Sequence, residues 1–150
     1  MRIALIGLAL ASVVAVAPAL SAQPRAAAPA CRIALPASAD AASFTAAERS
    51  GGPASAQQTG TVFAAAAAHL CASGVVRPTH FARYRRLLVR NAEGAAEPNI
   101  YDDAEEQPGA LIIEFAFADG PPPTQAAVEA ALRCWRNPSG AGCSAEDMGP

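Results

Sequence analysis

The sequence predicts a small two-layer α+β domain: an antiparallel sheet of two to four strands, packed on one face by two helices and stapled by disulfides. Three observations predict it. Between Gly109 and Asp119 the side chains alternate, with Leu111, Ile113, Phe115 and Phe117 on one face and Ile112, Glu114, Ala116 and Ala118 on the other, the period of a strand with one apolar side. Two stretches, 61–73 and 124–137, carry apolar residues at helical spacing. Four cysteines follow a leader-like N-terminus, and an even count in an exported chain reads as paired.

In chain order, Met1-Arg2 and the apolar run to Leu20, broken by Pro18 and followed by small residues, read as a signal peptide over 1–22 with cleavage after Ser21 or Ala22. Residues 23–30 are rich in Pro and Ala and form a disordered tether. The rest, 31–150, is one domain's worth of chain. These features place the protein in the bacterial periplasm or outside the cell, with no membrane span once the leader is removed.

Cys31 to Pro36 reads as a short edge strand stopped by proline. Asp40 to Arg49 offers a helix of one or two turns, with Thr45 and Glu48 at capping-box spacing and Gly51-Gly52 as its stop. Residues 51–60 are small and polar, hence loop. The first long helix, 61–73, presents Val62, Phe63, Ala66 and Leu70 as one stripe and ends at Gly74.

Residues 81–90 fit either period. The strand at 111–119 needs backbone partners, and 83–90 is the one other run of comparable length, so it is assigned as an antiparallel partner strand. The connection 91–109 is long for a compact domain. It holds Asn99–Tyr101, long enough for a two- or three-residue strand, and the acidic run Asp102-Asp103-Ala-Glu105-Glu106. The second helix, 124–137, lines up Val128, Ala131, Leu132 and Trp135 against Glu129, Arg133 and Arg136, with Glu129–Arg133 at i, i+4 spacing and Pro138 as its end.

The cysteines are expected to pair as Cys31–Cys71 and Cys134–Cys143, since Pro138, Gly140 and Gly142 let the chain double back to the helix. In the chain-entropy model the two closures stabilise by about 3.9 and about 2.7 kcal/mol. The rival set, Cys71–Cys134 with Cys31–Cys143, would cross-link the two helices.

All eleven basic residues are arginine. The absence of lysine excludes Schiff-base and pyridoxal-phosphate chemistry, Ser-Lys hydrolysis and a P-loop lysine. C-x-x-C, C-x-x-C-H, H-E-x-x-H and G-x-S-x-G are all absent, so zinc, haem, thioredoxin-like and serine-hydrolase motifs fail on spacing. The acidic run lacks EF-hand spacing. No cofactor, metal or catalytic group is assigned.

Charge is segregated instead. Seven arginines face two acids between Cys31 and Arg90, and eleven acids face two arginines from Asn91 onward. The expected interaction surface is therefore Arg83, Arg85, Arg86 and Arg90, with His80 at its edge and Tyr101, Asp102 and Asp103 beside it. Guanidinium groups suit carboxylate or phosphate. Strand geometry puts Arg86 and Arg90 on one face and Arg83 and Arg85 on the other, and only one pair can serve a given ligand. The bland alternative is that arginines and acidic loop screen each other.

The sequence thus reads as an exported envelope accessory or binding module for an anionic envelope component or another exported protein, and not for nucleic acid, because the formal net charge is −2. Two alternatives are a small secreted hydrolase using His80 with an acid, and a small-ligand carrier.

Overall fold

A computed structural model describes residues 31–118 and 120–143. The expected leader (1–22), the tether (23–30), Asp119 and the tail after Cys143 lie outside the described residues.

The chain forms β1 (Ala37–Ala39), α1 (Gly52–Ala72), α2 (Pro78–Phe81), β2 (Arg86–Asn91), β3 (Asn99–Tyr101), β4 (Ala110–Phe115) and α3 (Gln125–Arg136). The four strands make one sheet in the order β1-β2-β4-β3. The fold is α+β, but the sheet is mixed: β1 with β2 and β2 with β4 run parallel, and β3 with β4 antiparallel. This corrects the antiparallel pairing expected for 83–90 and 111–119. The reason lies in the long connection between them. Asn99–Tyr101 is a full strand that runs back along the far edge of β4, so the chain reverses twice and re-enters the sheet in its original direction. Gly109, at φ +74, makes the entry into β4, and its carbonyl accepts from Arg85 N–H at 2.8 Å.

Several boundaries move. Residues 83–85 precede β2, and β2 continues to Asn91. Strand β4 stops at Phe115, because the chain turns there: Phe117 N–H bonds to Phe115 O, and Asn91 Oδ1 accepts from Ala118 N–H. The edge strand falls just after Pro36 rather than before it. Residues 40–49 form turns without a helix; Glu48 still accepts from Thr45 N–H at 2.8 Å, and Phe44 is buried.

Helix α1 starts nine residues earlier than expected, with Pro53 in its first turn, where a missing N–H costs nothing. Gly60 belongs to it. A Cβ there would sit 2.7 Å from the Ala37 Cβ, so this glycine serves close approach of α1 to β1 rather than a break. Gly74, at φ +77, ends the helix as expected. Thr124 Oγ1 caps α3 by accepting from Ala127 N–H.

Both long helices cover one face of the sheet. Phe63, Ala66 and Leu70 of α1 and Val128, Ala131 and Leu132 of α3 pack with Leu87, Val89, Ile100, Leu111 and Ile113. Phe117 is buried with them from its turn, and Phe115 is half-buried at the margin. The opposite face is not simply solvated. Leu88, Tyr101, Ala110 and Ile112 form a second, smaller buried cluster there, because β4 is central and Ile112 lies between Leu88 and Tyr101 in register. Cys31 pairs with Cys71 and Cys134 with Cys143, at Cα–Cα distances of 5.9 and 5.3 Å.

Candidate functional site

The register of the helix-free face decides what each arginine can do. Asp40 follows β1 in line with Arg90 of β2 and Glu114 of β4, and Tyr101 lies next to them on β3. Arg90 Nε donates to Asp40 Oδ2 at 3.0 Å and its Nη1 to Tyr101 Oη at 3.1 Å. The Tyr101 hydroxyl donates in turn to Glu114 Oε2 at 2.5 Å. Burial, then the Glu114 carboxylate, push the Tyr101 pKa up to about 12. This chain joins all four strands, and with the Arg90 and Asp40 side chains 21% and 14% exposed it is largely shut from solvent. Arg90 is thus committed internally, as is Tyr101.

Its neighbours differ. Arg86 is exposed and donates only to Gln107 Oε1, at 2.8 Å. Arg85 is exposed and has no ionic partner among the described residues. Asp103 is used locally, its Oδ1 accepting from Glu105 and Glu106 N–H. The four strip arginines therefore do not act as one surface.

A different grouping emerges at the far end of the sheet. A cleft of about 310 Å³ opens between β3 and the last turn of α3, lined among others by Arg83, Ile100, Tyr101, Asp102, Trp135 and Arg136. Arg83 Nη2 donates to both Asp102 oxygens at 3.0 Å and to Tyr84 Oη at 2.6 Å. Its Cζ lies 4.9 Å from the Tyr84 ring centroid, within cation–π range. Only one guanidinium nitrogen is used; Nη1 and Nε have no partner among the described residues. Arg136 lies over the Trp135 ring at 5.6 Å and makes no ion pair among the described residues. Trp135 is half-buried and packs on Phe81 and Tyr84.

His80 belongs to this end of the molecule but not to an acid–base pair. Its Nδ1 accepts from Arg77 N–H at 3.1 Å. Burial, then the charges of Arg136 and Arg77, lower its pKa. No carboxylate hydrogen-bonds to it among the described residues, so the pairing that a hydrolase reading requires is not formed there.

Two features escape the sequence reading. Helical periodicity puts Trp135 toward the core and Arg136 toward solvent, and Trp135 does pack against the core while Arg136 is exposed; the periodicity gives no sign that both also line the cleft. The adjacent Cys134–Cys143 bridge and Pro138, which fix that end, were the available signal. Likewise, Glu129 takes no ion pair with Arg133; it accepts from His69 Nδ1–H of α1 at 2.8 Å and from Gln125 Nε2 at 2.9 Å. The Gln125 bond, with His69 and Arg133 adding to it, lowers the Glu129 pKa.

Among the described residues no three His, Cys, Asp or Glu side chains gather as metal ligands, and no helix is long and apolar enough to cross a membrane. Comparison with protein-family models, with curated proteins and with solved structures returns no match.

Proposed function

We propose that the protein is an exported, disulfide-stapled binding module of the bacterial envelope, and that its contact point for an anionic partner is the β3–α3 cleft rather than the whole arginine strip. The observation that carries this reading is Arg136, an arginine without a carboxylate partner among the described residues that opens on the same cleft as Arg83 and Trp135. A guanidinium beside an aromatic wall can take an anion by charge-assisted hydrogen bonds while the ring packs against its apolar part. Export is supported by the leader-like N-terminus and the two cysteine pairs.

Trp135 is the one tryptophan of the chain, so the intrinsic tryptophan fluorescence comes from a residue that lines the cleft. Titration with poly-L-glutamate should give a saturable change that shrinks with added salt and weakens in Arg136→Gln. No change, or one indifferent to salt and to Arg136→Gln, refutes the proposal.

A second reading, a carrier of a small apolar ligand, rests on a separate groove of about 470 Å³ past the ends of β2 and β4, lined by Phe115, Pro98 and Pro121 to Pro123 among others. Crevices beyond the carboxyl ends of parallel strands are common ligand sites. Binding of an apolar dye that leaves Trp135 fluorescence untouched and is lost in Phe115→Ala would favour it.

A further inference from the structure

We infer that the cleft takes a singly charged carboxylate borne on an apolar body, an inference that rests on the binding reading above and specifies its ligand. Asp102 supplies the first argument. Its carboxylate already lies on Arg83 with both oxygens 3.0 Å from Nη2, so the chain itself shows a carboxylate seated on this guanidinium, with Nη1 and Nε left over for a second one. The fork of Arg136 likewise has no partner among the described residues.

Charge supplies the second. Among the described residues the cleft is lined by two guanidinium groups and one carboxylate, which leaves one net positive charge. The last carbonyls of α3 bring partial negative charge to the same end. A monoanion neutralises the net positive charge, whereas a dianionic phosphate would leave the cleft net negative beside Asp102 and those carbonyls. The balance suits a monoanion.

Shape supplies the third. Trp135, Ile100 and Pro138 form an apolar wall beside the charged groups. The volume, about 310 Å³, is at the low end of small-molecule sites, room for one compact apolar group. Such a carboxylate comes either from a small amphiphilic acid or from the carboxyl terminus of a polypeptide with an apolar last residue.

The test uses Trp135 fluorescence and calorimetry on the oxidised protein with N-acetyl-L-phenylalanine, its carboxamide and phenyl phosphate at neutral pH. The acid should bind at least tenfold more tightly than either other probe. Arg136→Gln, an exposed position at which the thermal midpoint should not move, should lose about tenfold for the acid; Arg32→Gln, outside the cleft, should lose nothing. A hexapeptide ending in phenylalanine with a free carboxylate then separates the sources. Tighter binding than the acetylated amino acid assigns the site to a polypeptide terminus, and equal or weaker binding assigns it to a small acid. Carboxamide or phenyl phosphate binding as tightly as the acid overturns the inference. If all three small probes fail while poly-L-glutamate still responds through Arg136, the cleft reading stands and the monocarboxylate falls; if poly-L-glutamate fails too, both fall.

Discussion

Arg86 and Arg90 lie on one face of β2 with Leu88 between them, and replacing each by alanine should have unequal consequences. Arg90→Ala removes the cation from Asp40, whose side chain is 14% exposed, and one donor from Tyr101. Breaking a fully buried pair by removing one partner costs about 3–5 kcal/mol. Both partners here keep some solvent contact, so the cost should be about 2–3 kcal/mol. Arg86→Ala removes an exposed side chain bonded only to Gln107 and should stay within about 0.5 kcal/mol. Urea unfolding of the oxidised protein measures both, and a double-mutant cycle with Asp40→Ala should give a coupling of about 1–2 kcal/mol. Added salt should leave that coupling nearly intact, as shielding from solvent reduces screening. A cost below about 1 kcal/mol for Arg90→Ala, or equal costs for both arginines, would refute the assignment of Arg90 as a structural tie between strands.

Three further outcomes follow from the same packing. Thr59 is fully buried and its hydroxyl has no hydrogen-bond partner among the described residues, so Thr59→Val should raise stability by about 1 kcal/mol in the same urea assay. Gly60→Val should destabilise by about 2–3 kcal/mol, because β1 must move from α1 to admit the side chain; unchanged stability would mean that this approach is not tight. At alkaline pH the raised Tyr101 pKa favours the neutral phenol in the folded state. The unfolded state therefore loses its proton first, and stability should fall from about pH 10 until the folded pKa of about 12 is passed. Tyr101→Phe should flatten that fall in a pH series of thermal midpoints.

The arginine strip shows where reading residues in order reached its limit. Alternation along 86–90 puts Arg86 and Arg90 on one face, but it carries no information about what lies opposite. Asp40 is fifty residues away in sequence, and only the parallel β1–β2 register brings it to Arg90. Arg83 was grouped with the strand although it precedes it, and its real partners, Tyr84 and Asp102, come from a turn and from the end of β3. The cleft with Trp135 and Arg136 is not legible in the sequence because a helical wheel separates adjacent residues onto different faces, a distinction that loses force in a last turn that borders an open cleft.

What the sequence determined by itself was local. Alternation marked the core of β4, the spacing of Phe63, Ala66 and Leu70 marked α1, Thr124 and Pro138 bracketed α3, and Gly74 stopped α1, since each depends on periods and backbone preferences within a few residues. The cysteine pairing was also legible, because the chain between Cys134 and Cys143 is short and flexible enough to close. Tertiary structure alone decided strand direction, the helical membership of residues 52–60 and the division of the arginines between structure and surface. Those depend on which distant segments meet: the return of β3 sets the parity of the sheet, Ala37 turns Gly60 from a breaker into a contact, and Asp40 withdraws Arg90 from solvent.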